Sequence, residues 1–389
     1  MKEQDFVELA NYILSAENND PKVDRKRFQT LISTTEQICE KEKTNLDFPV
    51  RVLWKITGLC NCKCKHCWAK LGGSTSGQNL RDLANEIAEH RPIIVSLSGG
   101  EPLLCRDYFE IYRILKSKNI IVETLTNGSL ITEKWIEKYK KIADINIDVI
   151  QISLDGSTPA LHDTQRGVSV FDKAVNSIRA LKRNGIKVRV SFTATELNQT
   201  DIYNTYCLCN SLGVDVMSIT PVFPLRKGRE LANVLDENIY LHEVLRCKRN
   251  ELNTKTRVQV GFEFRNLIWK YRNNPKIKDL LKGEDNKTYF FMQETNTSVQ
   301  IDAYGNAIPG PEYENCHAAG DVYQKTLQAV WRLGKNWEEF RAGRNFEYVK
   351  CSNCDIFSIC CGGNAKMAYD VYGTINAPDG RCKLNELAI

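Results

Sequence analysis

The sequence predicts an α/β protein: a partial (β/α)6 TIM-type barrel followed by a Cys-rich C-terminal domain. Three observations predict it. From residue 51 onward, apolar runs of strand length alternate with segments of helical period, six times over. A thiol-rich loop directly follows the first of these strands. From about Thr297 the texture becomes loop-rich and Cys-rich. Such alternation gives a parallel sheet with helices outside and right-handed crossovers. Six strands are too few to close an eight-stranded barrel. An open barrel is therefore expected, with its reactive groups at the C-terminal ends of the strands.

The elements follow in order. Residues 1–48 read as a polar helical segment, with Phe6, Leu9 and Ile13 at helical spacing and Asn18-Asn19-Asp20-Pro21 dividing it. The bland reading is a cap on the main domain; the sharper one is a peptide-recognition module, for which it is short. The barrel is expected over 49–235. Its first expected strand is Arg51–Thr57, then helix Gln78–His90, strand Ile93–Leu97, and helix Asp107–Lys118 with Asp107 at the N-cap. Strand Ile120–Leu125, helix Thr132–Ile142 and strand Val149–Leu154 come next. Helix Phe171–Arg183 is expected to stop at Asn184-Gly185. Strand Lys187–Thr193, helix Thr200–Leu212 and strand Asp215–Ile219 complete the series. Residues 236–296 read as a helical linker. In the last domain, 297–389, the stretch from Val299 reads as a strand entering a turn at Gly305-Asn306.

Composition narrows the class. The 389 residues are 42% hydrophobic and 26% charged, with a net charge of +5 and no block of like charges. That argues for neither nucleic acid nor an anionic membrane as partner. Met1-Lys2-Glu3-Gln4-Asp5 has no apolar signal-peptide region, and no apolar run approaches the length of a membrane span. Fifteen Cys without such a signal point to metal ligation more than to disulfides, and to a reducing cytoplasm.

The thiol loop reads Cys60-Asn61-Cys62-Lys63-Cys64-Lys65-His66-Cys67. Cys60, Cys64 and Cys67 fit C-x3-C-x2-C. Thiolates are soft ligands, and such clusters select iron–sulfur centres or zinc. Three thiolates leave one iron of a [4Fe–4S] cube free for a substrate or cofactor. A zinc knuckle or buried cysteines is the competing reading. Cys62 also permits C-x-C-x2-C, but the three-and-two spacing is satisfied without it. After the second strand comes Ser98-Gly99-Gly100-Glu101-Pro102, where two glycines let backbone approach a ligand closely. Thr126-Asn127-Gly128 ends the third strand, and Ser153-Leu154-Asp155-Gly156 the fourth. Ser153 and Asp155, two apart on a strand, share a face.

Together these stretches resemble the radical SAM superfamily, over 50–230. There the open iron chelates S-adenosylmethionine (SAM), and one electron cleaves it to methionine and a 5′-deoxyadenosyl radical. The resemblance implies Cys60, Cys64 and Cys67 as ligands of the SAM-binding cluster. It places Gly99, Gly100 and Glu101 at the SAM amino group, Asn127 beside them, and Ser153 and Asp155 at the ribose hydroxyls. Arg166 resembles an arginine that reaches SAM in some relatives; a solvated loop charge is its alternative. Asn198, Pro221 and Gly228-Arg229 also fall where relatives carry matching residues.

The C-terminal cysteines form a second constellation: Cys351-x2-Cys354-x5-Cys360, with Cys382 further on. It resembles the SPASM extension of radical SAM enzymes, partly matching 297–389. The resemblance implies one auxiliary [4Fe–4S] cluster on Cys351, Cys354, Cys360 and Cys382. Zinc on the same four thiolates is the alternative. Asn364 and Gly310 stand where an inner auxiliary cluster would find cysteines, so that cluster is expected to be absent. Cys316 and Cys361 have no assigned role; Cys316 is the candidate to ligate iron or donate a hydrogen atom to a substrate radical.

The resemblance implies a radical SAM enzyme acting on a peptide or small molecule, with a flavodoxin- or ferredoxin-type electron donor. A ribosomally made peptide is the first choice of substrate, modified by crosslinking, thioether formation or epimerisation. A tetrapyrrole of haem biosynthesis is the alternative. A non-catalytic, metal-stabilised binding protein is the third reading, against which the glycine pair and Ser153/Asp155 speak.

Overall fold

The computed structural model describes residues 4, 5, 8, 46–69, 71–73, 77–223, 227–260, 273–275, 297–308, 318–334, 337, 350–354, 357, 362–363, 365–379 and 382. The chain divides into two compact units. The first holds Arg51–Gly261 with Ile301–Gly305; the second holds Lys2–Val50, Phe262–Gln300 and Asn306–Ile389.

In the first unit, seven strands pair parallel in sequence order: β1 (Arg51–Lys55), β2 (Ile94–Ser98), β3 (Ile121–Thr126), β4 (Val149–Ser153), β5 (Lys187–Ala194), β6 (Val216–Pro221) and β7 (Arg257–Val260). The partial barrel is thus present, with one strand more than the sequence predicts. β7 lies in the stretch read as helical linker. Of its four residues only Val258 is buried, too few to show a period of two. Its place is set by α8 (Glu237–Glu251), whose Lys248 Nζ donates to Val258 O (2.5 Å), while Val258 N donates to Glu251 Oε1 (2.8 Å).

The remaining helices are α1 (Gly77–His90), α2 (Tyr108–Lys116), α3 (Glu133–Lys140), α4 (Pro159–Arg166), α5 (Phe171–Arg183), α6 (Ile202–Ser211) and α7 (Gly228–Asn233). α3 starts as its sequence indicates, with Thr132 Oγ1 accepting from Trp135 N at 3.2 Å. α5 ends at Asn184, followed by Gly185 in the left-handed region (φ 72°). Asp107, expected to cap α2, makes no cap hydrogen bond; its carboxylate accepts instead from Arg81 Nη1 of α1 (3.0 Å). α4 is not predicted by the sequence, because Gly156-Ser157-Thr158-Pro159 reads as turn. Yet Pro159 opens the helix, where its missing N–H costs nothing.

Strand alternation sets the two faces of the sheet. Along β5, Val188, Val190, Phe192 and Ala194 are buried, while Lys187, Arg189, Ser191 and Thr193 are only half-buried. β4 and β6 repeat the pattern, and Ser153, Ser191 and Ser218 are register partners across β4–β5–β6. The apolar face takes the helices, leaving a polar row on the other.

In the second unit, β9 (Asn306–Ile308) pairs antiparallel with β10 (Gly320–Asp321). α9 (Leu327–Leu333) is capped by Thr326, and α10 spans Ala365–Tyr372. Ahead of β9, β8 (Ser298–Ile301) runs into the expected turn, in which Tyr304 N donates to Asp302 Oδ1 and Gly305 has φ 90°. Among the described residues no helix is long and apolar enough to cross a membrane. Of the sequence-predicted groups, Cys316, Cys360, Cys361, Asn364, Gly310 and nearly all of 1–48 lie outside the described residues.

Candidate active site

The cysteine loop leaves β1 at the C-terminal edge of the sheet and is laced to three neighbours. Lys63 N donates to Arg166 O and Lys65 N to Gln165 O, both at 2.9 Å, so the last carbonyls of α4 grip the loop. Gly167, in the left-handed region (φ 68°), follows α4 so closely that a Cβ there would lie 2.6 Å from Lys63 O. Gly100 N donates to Thr57 O (2.8 Å) and Glu101 N to Leu59 O (2.7 Å), stitching the glycine turn to the loop's entry. Asn61 Oδ1 accepts from Asn127 Nδ2 (2.8 Å), and Asn61 Nδ2 donates to Ser129 Oγ (2.9 Å).

Cys60, Cys64 and Cys67 are partly exposed, whereas Cys62 is 5% exposed. The Cys62 hydrogen bond holds the Cys60 thiol below its ordinary value. Cys64 is lowered to about 5, first by the Cys62 hydrogen bond and then, against burial, by Arg166 and His66. Burial raises Cys67. Cys62 moves strongly upward, because it is the donor to both neighbours. Cys60 and Cys64 are thus shifted toward the thiolate, the form that binds metal, and Cys62 away from it. Three thiols on one loop are a soft donor set that separate irons of a four-iron cluster could take.

Two of the residues expected at SAM, Glu101 and Asp155, are held by contacts within the protein. Glu101 is 1% exposed. Its Oε1 accepts from Thr126 Oγ1 (2.6 Å) and Leu103 N (3.1 Å), and its Oε2 from Asn127 N (2.8 Å). Burial raises its pKa against those hydrogen bonds. The carboxylate ties the end of β3 to the glycine turn. Asp155 is fully buried; its Oδ1 accepts from Thr193 N (2.9 Å), and its Oδ2 lies 2.7 Å from Arg166 Nη2 and 3.8 Å from His66 Nε2. Burial opposes its ionisation, but Arg166, then His66 and His162, hold it below the usual carboxylate range. Strand alternation does not carry past Ser153, where β4 ends, so the two side chains part. Ser153 stays half-buried on the polar row. Arg166, read as a possible loop charge, is the buried last residue of α4. Gly99 and Gly100 do serve close approach, but to the chain itself: a Cβ on Gly99 would lie 2.4 Å from Thr57 O.

Sequence reasoning missed His66, Asn61 and His162. His162 Nδ1 accepts from Asp155 N (3.0 Å), which requires the neutral ring. Burial, then Arg166, lowers its pKa to about 4. A lowered histidine stabilises the fold fully above its unfolded value near 6.5, and that contribution is lost as pH falls toward 4. Urea unfolding of the metal-free chain is expected to lose on the order of 3 kcal/mol from this site across that window. His162→Asn, which keeps an acceptor but cannot titrate there, should flatten the dependence; equal slopes would show that another group governs it.

In the second unit, Cys351 and Cys354 sit on one tight turn, with Cys354 N donating to Cys351 O (3.1 Å). Cys382 N donates to Asp379 O (2.9 Å), whose own N–H binds Gly362 O (2.9 Å). No disulfide joins the described cysteines.

The first unit is a parallel partial barrel that presents three thiols beyond its first strand. Residues 54–203 match the family described as the radical SAM superfamily. The chain is similar to the pre-heme d1 synthase of Dinoroseobacter shibae, with 34% identity over 46% of this chain and 45% of that protein. It spans less than half of that relative's length. It is also similar to the mycofactocin maturase MftC of Mycobacterium tuberculosis, with 25% identity over 90% of this chain and 87% of the other. Among solved structures, Streptococcus suis SuiB bound to precursor peptide SuiA superposes with a TM-score of 0.70 at 17% identity, covering 93% and 82% of the two chains. That likeness concerns the fold.

Proposed function

We propose that this radical SAM enzyme abstracts hydrogen from a ribosomally made peptide, leading to a crosslink, thioether or epimerised residue. The observation that carries the radical chemistry is the thiol loop, pinned open-faced at the C-terminal edge of the sheet. When bound, the cluster supplies the electron that splits SAM into methionine and the 5′-deoxyadenosyl radical. Cys60, Cys64 and Cys67 hold it, Ser153 meets the cosubstrate, and Asn127 and Glu101 keep the surrounding turns in place.

Two observations support a peptide. The chain matches a mycofactocin maturase over 90% of its length, as it does an AdoMet-dependent heme synthase over 84%, and its fold matches that of SuiB bound to a precursor peptide. The polar row of Gln151, Ser153, Ser191, Ser218 and Thr220 offers hydroxyls and an amide for a backbone to bond, whereas a flat macrocycle favours apolar walls. In this reading Cys351, Cys354, Cys360 and Cys382 hold an auxiliary four-iron cluster, Cys316 is a hydrogen-atom donor, and a flavodoxin- or ferredoxin-type protein of a reducing cytoplasm delivers electrons. A tetrapyrrole substrate is the second reading, favoured by the 34% identity to a heme-forming enzyme.

The test incubates reconstituted, reduced protein with SAM and either short synthetic precursor peptides or a propionate-bearing tetrapyrrole. Release of 5′-deoxyadenosine coupled to a mass change in a peptide, or to deuterium uptake from D2O in the case of epimerisation, is expected. Coupling to the tetrapyrrole alone would establish the second reading, and no SAM cleavage under any condition would overturn both.

A further inference from the structure

Arg166 grips the cysteine loop twice. Its carbonyl accepts from Lys63 N at 2.9 Å, and its side chain returns over the same loop, with Nη1 3.6 Å from Cys64 Sγ. The other arm of the guanidinium lies 2.7 Å from Asp155 Oδ2. Asp155 is itself fixed: Oδ1 accepts from Thr193 N, its N–H donates to His162, and its carbonyl accepts from Asn198 Nδ2 (2.9 Å). Arg166 and Asp155 are 7% and 0% exposed. A guanidinium is planar and always charged, so a partner that fixes one arm also fixes the direction of the other.

We infer that Arg166 sets the reduction potential of the cluster held by Cys60, Cys64 and Cys67, through a charged N–H···S hydrogen bond to Cys64 that Asp155 aims. The inference rests on the assignment of those three cysteines as ligands. Hydrogen bonds to the ligating sulfurs and nearby charge are the levers by which a protein moves such potentials. Reduction adds negative charge to the cluster, so a buried cation bonded to one of its sulfurs stabilises the reduced form and raises the potential. The side chain that the family resemblance would send to SAM is, in this chain, directed at a cluster sulfur. Asp155 is then a positioning residue, acting through Arg166. Its negative charge offsets part of the guanidinium's effect at longer range, so removing Arg166 alone would leave a buried carboxylate without a partner. The charge-balanced pair of changes is therefore the cleaner probe.

The experiment reconstitutes wild type, Arg166→Gln/Asp155→Asn and Arg166→Lys anaerobically. Iron and sulfide are counted, and each protein is titrated potentiometrically with detection by electron paramagnetic resonance. The loop cluster's signal is identified by its absence from a Cys60/Cys64/Cys67→Ala variant. SAM affinity of the oxidised proteins is measured alongside. The balanced variant is expected to keep its iron and shift negative. At the wild-type midpoint its ratio of reduced to oxidised cluster falls about tenfold, about 59 mV for a one-electron couple. Arg166→Lys cannot serve both partners with one ammonium and should shift in the same direction by less. Unmoved midpoints with full iron overturn the inference, as does weakened SAM binding without a shift, which would place Arg166 on the cosubstrate. If the balanced variant holds no iron, the lysine variant decides, and an unmoved midpoint there overturns the inference. A wild-type loop that binds no four-iron cluster would instead defeat the ligand assignment itself.

Discussion

Replacing Cys60, Cys64 and Cys67 together by Ala leaves about four irons per chain where the unaltered protein holds about eight, and abolishes 5′-deoxyadenosine release. The loop offers three thiols to its cluster, and each removal strips one iron of its ligand. The proposed C-terminal ligands Cys351, Cys354, Cys360 and Cys382 are untouched, so the auxiliary cluster is expected to keep its four irons. Cys62→Ala discriminates within the loop: Cys62 is 5% exposed and donates to Cys60 and Cys64, so its loss should spare the iron count. Iron and sulfide analysis with Mössbauer spectra reads both results. SAM cleavage by the triple variant would overturn the ligand assignment, and iron loss in Cys62→Ala would mean a different three thiols. A wild-type count near twelve would reveal an inner cluster, and zinc with no iron in the triple variant would make the C-terminal site a zinc centre.

Gly100→Ala should be nearly as damaging, although it removes no ligand. The added Cβ would lie 2.3 Å from Leu59 O, 2.7 Å from Leu59 C and 2.9 Å from Cys60 Cβ. None of these atoms is the free end of a side chain, so relief requires moving the backbone that carries the first ligand. Overpacking of this kind costs about 1–3 kcal/mol, and the displacement falls on Cys60. The expected result is a folded barrel, with helical circular dichroism intact, that retains only the C-terminal irons after reconstitution. Gly185→Ala is the control. A Cβ there meets nothing within 4 Å, so it should lose some stability from its positive φ and keep full iron. Equal iron in the two variants would mean that the glycine turn does not brace the loop.

What the sequence made legible is what depends on local spacing. The strand over Lys187–Thr193, the helix from Thr132 and the Asn184-Gly185 stop all depend on a few neighbouring residues, and each is found close to where the pattern puts it. The failures need distant partners. β7 is placed by a buried Lys248–Glu251 pair, α4 begins inside what reads as a turn, and Asp107 prefers Arg81 on another helix to its own N-terminus. In the site, residue types were legible and their directions were not. Glu101 and Asp155 are carboxylates at strand ends, as the motif requires, but only the fold shows each turned inward to serve backbone amides and a guanidinium.

The lacing of the cysteine loop also bears on how the cofactor is acquired. In a zinc finger the ligands are scattered in an unfolded chain, so metal affinity and folding are one equilibrium and a chelator denatures the domain. Here the loop's amides are already spoken for by Gln165 O and Arg166 O, its side chain Asn61 by Asn127 and Ser129, and its entry by the glycine turn. None of these bonds passes through a thiol. A loop held by contacts of this kind is expected to keep its shape without metal, unlike that of a zinc finger. Chelation should strip the irons while leaving the barrel's melting transition largely in place, so that a scaffold or carrier can load the same molecule again.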